Sequence, residues 1–213
     1  MASTPVSTTV PKTDHAHTQL HPHLYRTAAD PRPVVLMTCG IAGRSPFPHG
    51  LALHIFRPNL LSGSGKSSLA HSIISAYPSF HRLSIDYYVY SRHGLYNVDY
   101  PKEQYEEYQL EAEKALRAEL ITALARGQVD LVLDFSFAFR AVREEWKRLI
   151  EGLGGRWVLV FLDVDAAELR RRVQARNERV DKDGDSAFYV TEEILEQYLE
   201  GFERPHGEGE IVL

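Results

Sequence analysis

The stretch Gly63-Ser64-Gly65-Lys66-Ser67-Ser68 decides the fold of this 213-residue chain. Small residues in a loop let backbone N–H groups point inward around phosphate oxygens, and a following helix adds the positive end of its dipole. In such loops a lysine reaches the phosphates and a hydroxyl group binds Mg²⁺. Lys66 and Ser67 fit these two roles, and the apolar spacing from Leu69 to Tyr77 predicts the helix. The stretch therefore indicates the second half of a phosphate-binding loop.

The first half of this loop stands earlier in the chain. The apolar run Val34–Cys39 predicts a buried strand, and Gly40-Ile41-Ala42-Gly43 follows it, where such a loop should begin. Removal of residues 44–63 would join Gly43 to Ser64 and restore a complete strand–loop–helix phosphate site. We therefore interpret residues 44–63 as an insertion that splits the loop.

Two hypotheses for the origin of residues 44–63 remain open. The first is a short intron translated in frame, because codons for Gly43 and for Ser62-Gly63 can supply a GT donor and an AG acceptor. The second is an ordinary surface loop, but an insertion inside a phosphate nest is not at a tolerant site. Transcripts that carry only the long form would rule out the intron.

The composition limits the classes of partner. Lys and Arg number 24 against 29 Asp and Glu, and the formal net charge of −5 argues against a nucleic-acid partner. No apolar run approaches the roughly 20 residues that span a bilayer, and no secretory pattern begins the chain. We therefore expect a cytoplasmic protein without membrane contact. The single cysteine, Cys39, excludes a disulfide within the chain.

The chain divides into a tail and one domain. Residues 1–32 are rich in Ser, Thr, Pro and His without a sustained apolar period, so we expect a disordered tail. From Pro33, predicted strands alternate with predicted helices, which is typical of an α/β fold with a mainly parallel sheet over residues 33–213. The predicted strands are 34–39, 82–86, 129–134, 157–162 and 211–213.

Four features together resemble the small P-loop kinases of the zeta-toxin, chloramphenicol-phosphotransferase and gluconate-kinase type, a group of AAA-domain ATP-binding proteins. They are the restored loop, Ser84-Ile85-Asp86, Leu133-Asp134 and Leu169–Arg176. The resemblance covers roughly residues 33–213 apart from 44–63. It implies a three-layer P-loop NTPase fold with a five-stranded, mainly parallel sheet in the order 2-3-1-4-5. It also implies an ATP·Mg²⁺ site and a mobile lid that carries arginines.

The residues expected to hold ATP flank the insertion on both sides: Gly40, Gly43, Gly63, Ser64, Gly65, Lys66, Ser67 and Ser68. Asp134 ends an apolar run as a Walker-B carboxylate does, and we expect it to bind Mg²⁺ together with Ser67. Asp163 ends a similar run. We prefer Asp134 because its strand should lie beside the first strand, and we expect Asp163 to cap the following helix. The resemblance implies that Asp86 orients or deprotonates an acceptor hydroxyl, with a helix or turn cap as the alternative.

Arginines supply the remaining candidates. Arg172 and Arg176 lie four residues apart, hence on one face of a predicted helix that leads into the polar stretch Asn177–Ala187. An arginine at the γ-phosphate would stabilise transition-state charge, so both are catalytic candidates. The alternative is a basic helix face paired with nearby glutamates. Arg140 and Arg143 either bind an anionic substrate group or begin an exposed helix.

The sequence thus predicts an ATP-binding phosphotransferase that acts on the hydroxyl group of a small molecule and uses Mg²⁺. Three alternatives remain open. The chain could be a nucleotide-binding or ATPase module without a small-molecule acceptor, or an inactive form in which residues 44–63 split the phosphate loop. A nucleic-acid 5′-kinase is the third, and the net charge disfavours it.

Overall fold

The computed structural model describes residues 12–41, 63–179, 183–185 and 189–213. Within them, five parallel strands form one sheet in the order β2-β3-β1-β4-β5. The strands are β1 (Val34–Cys39), β2 (Phe80–Ser84), β3 (Asp130–Asp134), β4 (Arg156–Phe161) and β5 (Ile211–Val212). The predicted α/β fold and its strand order are therefore confirmed.

Helices cover both faces of the sheet. They are α1 (Lys12–Leu24), α2 (Lys66–Ala76), α3 (Ile85–His93), α4 (Tyr105–Arg126), α5 (Arg140–Gly152), α6 (Ala166–Asn177) and α7 (Glu192–Gly201). A short 3₁₀ turn precedes α4, and Gly127 in the left-handed conformation ends it, as the sequence predicts. None of the helices in the described ranges is long and apolar enough to cross a membrane.

The central strand β1 is buried along its whole length. Val35 and Met37 belong to the core beneath α3 to α7, whereas Val34 and Leu36 pack with α1 and α2 on the opposite face. Successive strand residues point to opposite faces, so burial on both sides demands an unbroken apolar run. This placement brings the carboxyl end of β1 to the start of α2.

The helix α1 corrects the expectation that residues 1–32 are disordered. Leu20 is fully buried and Leu24 is nearly so, and both pack against the α2 face of the sheet. The two leucines lie four residues apart and therefore share one helix face, a spacing that the surrounding His and Pro obscure. Arg26 then donates its Nε to Asp130 at 2.8 Å. Residues 1–11 lie outside the described part of the chain.

The end of the second predicted strand, 82–86, corrects a second expectation. The strand β2 ends at Ser84, and α3 begins at Ile85. The hydroxyl of Ser84 accepts a hydrogen bond from the backbone N–H of Tyr87 and so caps this helix. Asp86 consequently lies in the first turn of α3 and not at the end of a strand. At the last residue of α3, the His93 ring stacks on Tyr108 with ring centroids 3.6 Å apart.

Candidate functional site

The two halves of the split loop meet in the structure. A Cβ atom added at Gly40 would lie 2.7 Å from the hydroxyl oxygen of Ser64, so the end of β1 touches the start of α2. The backbone N–H of Gly40 donates to the carbonyl of Ser136 at 3.3 Å, which fixes this end of the loop. Gly43 and most of the insertion lie outside the described residues. The approach of Gly40 to Ser64 shows that the flanks of the insertion come together.

The second half of the loop has the backbone shape that glycine allows. Gly65 has φ = 96°, a left-handed conformation that L side chains rarely adopt. Its carbonyl accepts the hydrogen bond from Leu69 N–H that begins α2. Gly63 packs against α6, where an added Cβ would lie 3.0 Å from the carbonyl oxygen of Leu169. Both glycines are therefore required by local geometry.

Lys66 is the first residue of α2, and only 4% of it is exposed. Its ammonium nitrogen Nζ is buried without a hydrogen-bond partner among the described residues. Burial lowers the pKa of Lys66 to about 8, against the opposing charges of Asp134 and Asp86. Ser67, next to it, is half-buried, whereas Ser68 is exposed. A buried charged group without a partner is rare and calls for a ligand or ion to explain it.

Asp86 faces the same site. Its Oδ1 is buried and has no hydrogen-bond partner among the described residues. Burial, with the negative charge of Asp134 added, raises the pKa of Asp86 to about 7, although Lys66 and Arg176 oppose the shift. These mutual effects place Lys66, Asp86, Asp134 and Arg176 within electrostatic reach of one another. Perturbed groups that converge in this way are typical of functional sites.

Asp134 ends β3 beside β1, as the sequence predicts. Arg82 on β2 donates to it twice, from Nε at 2.9 Å and from Nη2 at 2.5 Å. Both bonds fall on Oδ2 of Asp134.

Asp163, the rival candidate, pairs with Arg204, also at 2.5 Å. The expectation that Asp163 caps a helix is wrong, because Asp165 accepts the N–H groups of Ala167 and Glu168 at the start of α6.

The arginines of α6 divide between the loop and the surface. Arg172 donates Nη1 to the carbonyl of Gly63 at 3.0 Å and pairs with Glu168 at 2.6 Å. The guanidinium of Arg176 opposes the ionisation cost of Asp86, which places it on the site side of the helix. Arg171 also pairs with Glu168, and Arg170 pairs with glutamates of α7. Arg172 thus lies at the phosphate-binding loop, and Arg176 lies near Asp86. Glu168 neutralises part of the basic face of α6.

Arg143 corrects another expectation. It was expected to bind an anionic substrate or to begin an exposed helix, but its side chain is fully buried and pairs with Glu208 at 2.6 Å. It also donates to the carbonyl of Phe137 at 2.8 Å. Cys39 is buried as well, and burial raises the pKa of its thiol to about 12, so it stays protonated. Both residues belong to the core.

Sequence reasoning missed Arg82, His71 and Asp185. Arg82 contacts the carboxylate of Asp185, whose other oxygen lies 2.8 Å from Nε2 of His71 on α2. The two carboxylates that Arg82 contacts, Asp134 and Asp185, lie 52 and 103 residues from it along the chain, so no local pattern could reveal these contacts. A single polar residue inside a short strand normally indicates a solvent-facing position.

The site residues fit a nucleoside triphosphate with Mg²⁺. The left-handed Gly65, the close contact of Gly40 with Ser64 and the start of α2 form a cradle of the kind that holds phosphates. The buried ammonium of Lys66, which has no hydrogen-bond partner within the described ranges, supplies a positive charge for them. Ser67 and Asp134 offer oxygen ligands, the type that Mg²⁺ prefers. By contrast, a groove of about 420 Å³ lined by His81, Thr122 and Arg126 lies at the amino ends of the strands, opposite this site.

A sheet in this order, with a Gly-Lys-Ser loop between its central strand and the next helix, defines the class of P-loop nucleotide-binding proteins. The sequence profile of the family described as "AAA domain" matches residues 61–205, which is more than half of the chain. The chain belongs to this family. The match begins just after most of the insertion. A comparison with curated proteins gives no match.

Solved structures share the fold. A candidate kinase from Chloroflexus aurantiacus J-10-fl has a TM-score of 0.57 at 16% identity, over 85% of this chain and 86% of that one. Kti12 from Chaetomium thermophilum, solved with ADP-AlF3, has a TM-score of 0.52 at 15% identity, over 84% and 88%. A chain of the Pnkp1/Rnl/Hen1 RNA repair complex has a TM-score of 0.54 at 17% identity, but this protein spans only 44% of that chain. The resemblance is thus confirmed for the AAA-domain family and for the fold.

Proposed function

We propose that this chain is an ATP-dependent phosphotransferase that acts on a hydroxyl group of a small molecule. One observation carries the proposal. The ammonium of Lys66 and the Oδ1 of Asp86 are both buried without hydrogen-bond partners among the described residues, and each perturbs the pKa of the other. A cation for phosphate and a base for a hydroxyl are the two groups that phosphoryl transfer needs side by side.

Each residue has a defined part in the proposed reaction. Lys66 and the backbone of the loop bind the phosphates of ATP, and Mg²⁺ held by Ser67 and Asp134 would neutralise their charge. Asp86 accepts the proton of the acceptor hydroxyl at Oδ1. The hydroxyl oxygen then bonds to the γ-phosphorus as the bond from that phosphorus to the ADP oxygen breaks. Arg172 and Arg176 stabilise the charge on the transferring group.

The surroundings of Asp86 support a small acceptor. Burial, and after it the charge of Asp86, raises the pKa of Tyr100. Burial, followed by the charges of Tyr96 and Asp86, raises the pKa of Tyr198, so both phenol groups lie near the Asp86 carboxylate. A base enclosed by aromatic side chains favours a compact hydroxyl compound. A base with a pKa near 7 also suits proton transfer at neutral pH.

Thermal unfolding with Mg·ATP tests nucleotide binding. The full chain and the same chain without residues 44–63 are melted with and without the ligand. At about a hundredfold its dissociation constant, the ligand should stabilise a binding chain by about 2.7 kcal/mol, roughly 5–10 °C in Tm. If only the shorter chain responds, the long form is the inactive product of a split loop. If neither responds, the proposal fails.

A second experiment tests the acceptor. ATP turnover is measured with a panel of sugars, polyols and nucleosides for the wild type and for Asp86→Asn. We expect turnover to depend on one class of hydroxyl compound, and the substitution to lower it by about 10²- to 10⁴-fold without loss of Mg·ATP stabilisation. Turnover that needs no acceptor and survives the substitution would indicate an ATPase module instead.

A further inference from the structure

Arg82 is a buried guanidinium between two carboxylates. Its side chain is 9% exposed, and the Asp134 side chain is 3% exposed. The same Nη2 that contacts Asp134 also contacts Asp185. Nη1 lies 3.2 Å from Nε2 of His71. Arg82 therefore joins the end of β3, the helix α2 and the 183–185 segment at one point.

This arrangement neutralises Asp134. A positive charge at hydrogen-bond distance from a carboxylate removes most of its attraction for another cation, and burial strengthens the effect because water screens it little. Lys66 adds a second positive charge within electrostatic reach. In the protein without nucleotide, a divalent cation approaching Asp134 would meet a pair of charges that is already balanced.

We infer that Arg82 prevents Asp134 from binding a divalent cation on its own, so that the metal enters only together with a nucleotide. The inference rests on the proposed function, which assigns Asp134 to the metal side of the site. The phosphates of the nucleotide supply negative charge for the metal in place of the charge on Asp134 that Arg82 neutralises. Because coupling between two ligands is reciprocal, the same arrangement makes nucleotide binding depend on the metal.

The position of Asp185 sharpens the consequence. Without Arg82, Asp134 and Asp185 would both lose their shared guanidinium partner, and Asp185 would keep its contact with His71. Paired carboxylate oxygens are the ligands that Mg²⁺ and Mn²⁺ prefer. Loss of Arg82 should therefore increase metal affinity, whereas loss of a merely structural arginine would not.

Mn²⁺ binding without nucleotide tests the inference. The paramagnetic resonance signal of free Mn²⁺ is titrated with the full chain as wild type, Arg82→Gln and Arg82→Lys. We expect Arg82→Gln to bind Mn²⁺ at a concentration at least about tenfold lower than the wild type requires. Arg82→Lys keeps the charge and should resemble the wild type. Arg148→Gln, on the exposed surface of α5, is the control for the change in net charge.

Further variants locate the effect and guard against misfolding. The gain must disappear in Arg82→Gln/Asp134→Asn. A buried carboxylate that loses its partner, as Asp134 does in Arg82→Gln, can unfold a protein. Arg82→Gln/Asp185→Asn is therefore compared with Asp185→Asn, and the double variant must also bind Mn²⁺ more tightly than the single one. Equal affinities in both comparisons, a gain matched by Arg148→Gln, or a gain that survives Asp134→Asn overturns the inference. The proposed function fails separately, when neither the full chain nor the chain without residues 44–63 responds to Mg·ATP.

Discussion

At the scale of single residues, the candidate site lowers the stability of the folded protein. Lys66 and Asp86 are buried, and each has an atom without a hydrogen-bond partner in the described part of the chain. Burial lowers the pKa of Lys66 and raises the pKa of Asp86, and both shifts favour the neutral form. Such groups cost free energy until a ligand satisfies them. Substitutions that abolish function should therefore stabilise the protein without its ligand.

Asp86→Asn should raise the Tm in a pH-dependent way. The pKa of Asp86 is about 7 in the fold against 3.8 for the free group, so the folded state holds this proton more tightly. The stability that this gives is complete below about pH 4 and is lost as the pH rises through 7. The variant should therefore melt several degrees above the wild type at pH 8, a difference that vanishes near pH 4. Calorimetry across this range measures it.

Glu107→Gln is the matched control for this pH series. Glu107 is an exposed carboxylate on α4, and its neutralisation should leave the difference in Tm close to zero at both ends of the range. An Asp86→Asn variant that is less stable than the wild type at pH 8 would show that the carboxylate stabilises the fold.

Lys66→Met should separate binding from folding. Methionine fills a similar volume without a charge to bury, so the variant should melt at or above the temperature of the wild type. It should show no stabilisation by Mg·ATP, because the phosphates lose their cation. Thermal melts with and without the ligand measure both effects, with Lys114→Met on the exposed side of α4 as control. Retained stabilisation would remove Lys66 from the site.

The sequence predicted those site residues that follow a local rule. Lys66 follows a glycine at the start of a helix, and Asp134 ends an apolar run, so spacing alone identifies them as candidates. Arg82 follows no such rule, because its role depends on Asp134 and Asp185, which folding brings to it from 52 and 103 residues away. Arg143 was misjudged for the same reason, since its partner Glu208 lies 65 residues along the chain.

At the scale of elements, α1 completes the layer on the α2 side of the sheet. Leu20 and Leu24 cover β1 from a segment whose composition indicates disorder. Composition predicts whether a segment can bury enough surface by itself. It does not register two leucines on one face that dock onto an existing apolar sheet. The resemblance to small P-loop kinases implied the sheet order, whereas this helix depends on tertiary packing.

Leu20→Ala should therefore destabilise the protein. Leu20 is fully buried, and truncation of such a leucine costs about 2–5 kcal/mol through lost burial and the cavity left behind. Urea unfolding should show a lower midpoint with an unchanged slope. Val98→Ala provides the control, because Val98 is 75% exposed. Equal midpoints for the two variants would mean that α1 does not support the core.

At the scale of the whole molecule, the segment near the carboxyl end is joined to the core by charge. Glu208 accepts two hydrogen bonds from Arg143, at 2.7 and 2.6 Å, and its carbonyl accepts one from Lys147 at 2.8 Å. Arg143 lies on α5, which covers the face of the sheet opposite α1 and α2. The pair therefore fixes the segment that leads into β5.

Glu208→Gln should cost about 3–5 kcal/mol, because it leaves the buried guanidinium of Arg143 without its counter-charge. Chemical denaturation measures the loss. Glu145→Gln removes an exposed partner of Arg117 and should cost less than about 1 kcal/mol. The double variant Arg143→Met/Glu208→Met should recover most of the stability that the single variant loses. Similar costs for the two single variants would contradict this account.

The contact between Gly40 and Ser64 also has a kinetic consequence. Bridging that contact with a longer loop adds closure entropy only logarithmically, about 0.6 kcal/mol for each doubling of length. The pairing of β1 with β3 is slower than the closure of this loop, because Thr38 on β1 and Leu133 on β3 are 95 positions apart. Contacts at such separations set the folding rate. The long and short forms of the chain should therefore refold at nearly the same speed.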